Sequence, residues 1–263
     1  MRTHPVLGRM RGGAVVLALL LGACAAIPRP DMVVTDRAPP YDAWARVLQR
    51  SVDDRGRVDF HALARERADL DRFVAWIYDN GPGNRPELFA ARAQVLAFHI
   101  NAYNALAMHK VIETGIPETL AGLRKISFFA LGKVQVGGVA VSLYDYENLV
   151  IRPLGDARVH FALNCMSVGC PRLPREVFLP ETLDRQLDRE ARLFFDDERH
   201  ARFDPARGVL HLSQIIEFYP EDFLAAAPSL LAYVNRYRTV AVPAHARIEF
   251  IPYDWTVNRA PPR

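Results

Sequence analysis

The chain has 263 residues, half of them apolar, with 33 Lys and Arg set against 30 Asp and Glu. Three of the cations, Arg2, Arg9 and Arg11, fall in the first 23 positions, which hold no acid, so the remainder carries 30 charges of each sign and is formally neutral. A neutral domain without a Lys and Arg cluster has little electrostatic reason to seek a phosphate backbone, so nucleic acid is set aside as a partner.

The three arginines precede an apolar run from Ala14 to Leu21, which ends in Leu21-Gly22-Ala23-Cys24. This is the pattern of a lipoprotein signal: a positive segment, a short apolar segment and small residues where a peptidase cuts. Eight or so strongly apolar residues are too few for a permanent span, which needs roughly 20. Residues 1–23 are therefore expected to be the signal peptide and Cys24 the lipidation site. The lipid makes the membrane a partner and places the domain in the bacterial cell envelope, on its periplasmic face. Ala25 and Ala26 stand where lipoprotein sorting rules would place an aspartate for inner-membrane retention, so the outer membrane is the expected address. Residues 24–40 hold Pro28, Pro30, Pro39 and Pro40 and are expected to form an extended tether. Residues 41–263 are expected to fold as a single domain.

Within that domain, Tyr41 to Arg50 and Ala62 to Tyr78 have helical spacing and are separated by the turn signal Asp53-Asp54-Arg55-Gly56. Gly81-Pro82-Gly83 stops the second helix, and an unusually apolar pattern from Pro86 to Glu113 predicts a central buried helix that stops at Gly115 and Pro117. Lys133 to Val141 alternates around Gly137-Gly138 and predicts a β-hairpin. Ser142 to Asp145 form a capping box that opens a short helix through Ile151, stopped by Pro153. Arg158 to Cys165 reads as a strand, Glu181 to Phe195 as a helix, and Val209–Leu212 and Arg247–Ile251 as further strands. Helices and strands mixed without regular alternation predict an α+β fold, with the central helix packed on a mostly antiparallel sheet and other helices around it.

On the central helix, Ala97, Asn101, Asn104, Ala105 and Met108 share one stripe, and His99, Tyr103 and Lys110 lie opposite. Lys110 and His99 are the groups most in need of water, so the asparagine stripe is expected to face inward, highly buried, either positioning a substrate or satisfying loop backbone. The segment His160 to Pro171 is the expected chemical centre. An imidazole beside a thiol supplies a base and a nucleophile. In a strand, His160 and Cys165 face opposite sides, which leaves Cys170 freer to approach His160. Three fates stay open for Cys165 and Cys170: a disulfide, which an oxidising compartment favours, a reactive thiol, or zinc ligation with His160. No phosphate-binding, dinucleotide or zinc-protease motif is present, so no cofactor is expected.

Ile100-Asn101-x-Tyr103-Asn104, Glu147 with Arg152, His160-Phe161-Ala162-Leu163 with Cys165 and Cys170-Pro171, and Tyr253-Asp254-Trp255 together resemble the family called domain of unknown function 547 over nearly all of residues 41–258. The sequence departs from that pattern at His99 and Phe218, where tryptophan is usual, and at Asn148, where histidine is common. That change removes any acid–base role at position 148. The family carries no agreed activity. Some relatives look like fusions with glutaredoxin-like modules, which points to thiol chemistry. The order of helix, histidine and late aspartate has an analogy in papain and transglutaminase folds. There a cysteine opens the central helix, whereas here Asn101 and Asn104 occupy the region, so a standard triad is absent.

Two functions follow as expectations. One is an envelope enzyme of hydrolase, acyl-transferase or thiol-redox type acting on a small molecule, a peptide or an envelope protein. In it His160 is the acid or base, and Cys165 or Cys170 the sulfur. Asn101 is catalytic and Asp254 orients His160, while Asn104, Glu147, Arg152 and Asn164 position substrate. It requires His160 to meet the amide-bearing side of the central helix in one water-accessible hollow. The other is a non-catalytic binding or scaffold module with a static Cys165–Cys170 disulfide.

Overall fold

A computed structural model describes residues 26–261; Cys24 and the segment read as a signal lie outside the described residues. The first half of the domain is helical: α1 (Tyr41–Ser51), α2 (Phe60–Arg65), α3 (Ala68–Asp79) and α4 (Arg92–Glu113). The predicted helix over 62–78 is two helices, broken at Glu66 and Arg67, and α4 begins at Arg92 after a 3-10 turn over Pro86–Leu88. Helix α5 (Leu123–Lys125) widens into a π-helical stretch over Ile126–Leu131. The predicted hairpin follows as β1 (Lys133–Val136) and β2 (Val139–Ser142). Gly137 and Gly138, at φ 58° and 81°, form the tight left-handed turn that side chains resist. Ser142 accepts from the Asp145 N–H and caps α6 (Leu143–Asp145), which runs into a second π-helical stretch, Tyr146–Ile151.

The second half comprises α7 (Leu183–Asp196), β3 (Ala201–Asp204), β4 (Val209–Ser213), α8 (Gln214–Phe218), α9 (Pro220–Ala226), α10 (Leu230–Tyr237) and β5 (Arg247–Ile251). The three strands form a sheet in the order β3-β4-β5, antiparallel between the first two and parallel between the last. The fold is thus α+β, with one difference from expectation. Helix α4 does not rest on the sheet; it packs against α2, α3 and the π-helical Tyr146–Ile151. The larger hydrophobic core surrounds α4, and a smaller one joins the three-stranded sheet to α7, α9 and α10.

Two further expectations fail here. The proline-rich stretch is not a free tether: residues 26–40 lie without helix or strand against the domain. Ile27 donates its N–H to the Lys133 carbonyl at 2.7 Å and accepts from the Tyr78 hydroxyl at 2.8 Å. His109 Nε2 donates to the Pro28 carbonyl, Trp76 Nε1 donates to the Asp36 carbonyl, and Arg29 pairs with Asp79. These bonds hold a segment whose prolines cannot enter regular structure.

The face of α4 opposite the asparagines is also no water-facing side, since His99 is 6 % and Lys110 1 % exposed. Lys110 donates to the Gly132 carbonyl at 2.6 Å, and burial lowers its pKa to about 8. His99 Nδ1 is hydrogen-bonded to the Tyr146 hydroxyl at 2.7 Å, and burial lowers its pKa to about 4. Because the unfolded chain would bind this proton near pH 6.5, stability is full above that value and falls as pH drops towards 4. The loss from this one residue is about 3 kcal/mol. Denaturant titrations at pH 7 and pH 4 are expected to show a smaller difference for His99→Phe than for the parent by about that amount.

Candidate active site

The cleft of interest lies at the seam between the two cores and encloses about 440 Å³. Tyr103, Phe129, Leu163 and Trp255 line it from the side of the larger core, and Ile215, Tyr219 and Tyr253 from the other. Glu147, Arg152, His160, Cys165 and Cys170 bring its reactive groups.

His160 reaches the cleft from a different element than expected. Arg158–Cys165 is no strand: Ala157–Phe161 is a 3-10 helix, whose turn continues as Leu163 N–H donates to the Val159 carbonyl. Asp156 starts this helix by accepting from the Arg158 N–H, and Arg158 pairs with Asp156, Asp184 and Asp188. That local capping overrides the alternating pattern. At three residues per turn, His160 and Leu163 share a side, so strand alternation does not separate His160 from the cysteines. Phe161 instead enters the smaller core.

His160 Nε2 lies 2.7 Å from Asp222 Oδ2, and Nδ1 lies 3.9 Å from Glu147 Oε1. Its ring stacks on Tyr219 at 4.3 Å between centroids. Arg152 meets Asp222 through Nε at 2.7 Å and Nη2 at 2.9 Å, meets Glu221 at 2.6 Å, and is steadied by Asn148 at 2.7 Å. Burial alone would raise the Asp222 carboxyl, but the hydrogen bonds from His160 and Arg152 outweigh it and hold the group well below the carboxylate range. Asp222 is therefore a fixed anion behind the imidazole. Glu147 accepts from the Tyr103 hydroxyl at 3.1 Å.

The orienting carboxylate is thus Asp222 and not Asp254, which is exposed and accepts from the Thr256 N–H in a turn of its own. Asp222 sits in Tyr219-Pro220-Glu221-Asp222, where proline followed by acids is an ordinary helix start, so nothing in the sequence marked it. Tyr219 and Lys125 were likewise unmarked.

The two cysteines are free thiols with sulfurs 2.8 Å apart, a hydrogen-bonded pair rather than a disulfide of about 2.05 Å. Cys170 Sγ also accepts from the Cys165 N–H at 3.0 Å and is in hydrogen-bond contact with the Tyr253 hydroxyl at 3.0 Å. Burial opposes its ionisation, yet hydrogen bonds with the Cys165 thiol, with Ser167 and with the Tyr253 hydroxyl bring it down to about 7. Burial and the neighbouring sulfur push Cys165 the other way, well above the ordinary thiol value. Gly169 makes the approach of Tyr253 possible: a Cβ there would stand 2.9 Å from the tyrosine ring. Among the described residues, no group of three His, Cys, Asp or Glu is arranged to hold a metal ion.

The asparagines are buried as expected, but they do not line the cleft, and their amides are spent on backbone. Asn101 donates to the Ala97 and Phe178 carbonyls and accepts from Phe178 N–H and Trp44 Nε1. Asn104 donates to the Ala162 carbonyl at 2.9 Å and accepts from the Asn164 N–H at 2.7 Å. Asn164 donates to the Pro171 carbonyl and accepts from the Met166 N–H. The cleft that holds His160 does not reach the amide face and meets α4 at Tyr103 instead, which ends the enzyme in which Asn101 is catalytic and Asn104 and Asn164 position substrate. Asn101, Asn104 and Asn164 fix the loop that carries the site, without touching its interior.

No curated protein and no solved structure matches the chain. A family model does match, over a narrower stretch than the motif resemblance, since Tyr253-Asp254-Trp255 lies beyond it. Residues 88–195, from the turn before α4 to the last turn of α7, match the model of the family described as Protein of unknown function, DUF547.

Proposed function

We propose that this chain is an envelope lipoprotein, anchored through Cys24, whose cleft carries out thiol–disulfide exchange. The observation that supports it is a pair of free thiols of opposite acidity shift, lining one cleft with a histidine backed by a carboxylate. Hydrolysis or acyl transfer needs one sulfur; a second at 2.8 Å serves a two-electron exchange.

Cys170 thiolate attacks one sulfur of a substrate disulfide and forms a mixed disulfide, and the departing thiolate takes a proton from the His160 imidazolium. Cys165 then gives its proton to the neutral imidazole and attacks Cys170 Sγ. The second substrate thiolate leaves and is protonated by His160. Two electrons and two protons pass to the substrate, and the protein is left with a Cys165–Cys170 disulfide, which an external dithiol returns to its starting state. Asp222 stabilises the imidazolium at each turn.

The test is the pH dependence of alkylation of the purified protein by iodoacetamide, mapped by mass spectrometry. A fast phase at Cys170 with a midpoint near 7, and reduction of a small aromatic disulfide by the same protein, are the expected results. His160→Ala is expected to slow the reduction by about 10²- to 10⁴-fold, the range of lost acid–base catalysis. Alkylation of both cysteines only above pH 9, or two thiols inert without denaturant, would overturn the reading.

A further inference from the structure

We infer that the helical face over Gly122–Leu131 rests on the bilayer and holds the mouth of the thiol cleft at the level of the lipid headgroups. The inference rests on the reading of Cys24 as the acylated residue. Ala26 is two residues from Cys24, so a fully extended chain lets the acylated residue stand no more than about 7 Å away. Ile27 is fixed to the hairpin and to α3 by its two hydrogen bonds. Ala26 and Ile27 line a second cavity of about 320 Å³ together with Arg124, Ser127 and Phe128. The anchor therefore leaves the domain beside this helical segment.

Among the described residues, the outward side of the segment has no partner. Ala121 to Ile126 are exposed without a break, Leu123 at 85 % and Ile126 at 52 %. A helix that faces water turns its leucine and isoleucine inward. This one shows them outward, beside Arg124 and Lys125, and Gly122–Leu131 contains no carboxylate. Apolar side chains next to a cation, here Arg124, are the composition of a segment that lies in a membrane interface, with the charge at anionic headgroups. A few residues of docked backbone between lipid and domain would hold the face against the bilayer.

The same segment forms the lip of the cleft. Lys125 and Phe129 line it, and the Lys125 ammonium lies 4.2 Å from the centre of the Trp255 ring. A bilayer under Leu123 and Ile126 brings the cleft to the membrane surface. Its substrate class would then be a disulfide presented there by a membrane-bound protein, not one diffusing free.

The experiment uses the full-length protein extracted from membranes, with the mass of its N-terminal peptide determined. It is reconstituted on phosphatidylglycerol and phosphatidylethanolamine vesicles whose acyl chains carry bromine, a contact quencher of tryptophan. Ile126→Trp is expected to add emission that the brominated lipid reduces by roughly half or more, whereas that added by Val240→Trp, in the smaller core's region, is unaffected. An acylated protein whose Ile126→Trp emission is unchanged by bromine would overturn the inference and leave the anchor intact. A peptide mass without acyl groups would overturn the anchor and the inference together. A dimer in detergent that Leu123→Ser converts to monomer would overturn it in favour of a contact between two copies.

Discussion

Serine in place of Cys170 is expected to abolish disulfide reduction, with a loss of at least about 10³-fold, because the remaining sulfur is the wrong one. Cys165 is pushed well above the ordinary thiol value by burial and by the second sulfur, and removing that sulfur leaves the burial. Iodoacetamide should then find no fast thiol at pH 7. Cys165→Ala is expected to behave differently. Cys170 keeps the Tyr253 hydroxyl and the backbone N–H of residue 165 as donors but loses the Cys165 thiol, so its midpoint should move above about 7 while its alkylation persists. This variant attacks the substrate but cannot complete the exchange, and a mixed disulfide on Cys170 should accumulate, visible as a mass increase that a reductant removes. Equal loss of fast alkylation in both variants would show that the two sulfurs do not divide the work.

Asn104→Leu should be among the most destabilising single changes in the protein. The leucine matches the volume of the amide but leaves the Ala162 carbonyl and the Asn164 N–H without partners in a dry interior. Each orphaned group costs about 1 to 3 kcal/mol, so a loss of about 2 to 6 kcal/mol is expected in a urea titration. Hydrogen exchange should also quicken first at Asn164, whose N–H is the one released. The same turn carries His160 and leads to Cys165, so alkylation of Cys170 should become less selective even where the variant still folds. A loss under about 0.5 kcal/mol, the range of ordinary surface changes, would show that the loop holds itself without α4.

Much of the fold was legible because the local signals agreed with the tertiary outcome. The hairpin turned where Gly137 and Gly138 allow it, Ser142 capped its helix, and the apolar density of Ala97 to Val111 marked the buried helix. The segment at His160 misled because its alternation is that of a strand, while the competing signal, Asp156 capping Arg158 N–H, spans only two residues. Helices α8, α9 and α10 are five to eight residues long, too short for a 3.6-residue period to register. Hidden with them was Asp222, whose role exists only through a contact 62 positions away from His160. The asparagines illustrate the opposite limit. Their burial could be read from the helix pattern, but whether an inward amide meets substrate or backbone depends on a loop the pattern does not describe.

The ion pairs of Arg152 with Glu221 and Asp222 cross the seam between the two hydrophobic cores, and Asp222 joins them to His160. The residues assigned to proton handling are thus also the rivets that keep two halves of the molecule together. Any compound that fills the gap and touches both walls must add to that fastening, and its binding will register as resistance to heat. At a concentration of 100 times its dissociation constant the gain is about 2.7 kcal/mol, large enough to shift a melting curve by several degrees. Melting curves run against a collection of thiol and disulfide compounds therefore offer a route to the natural ligand that needs no assay of turnover.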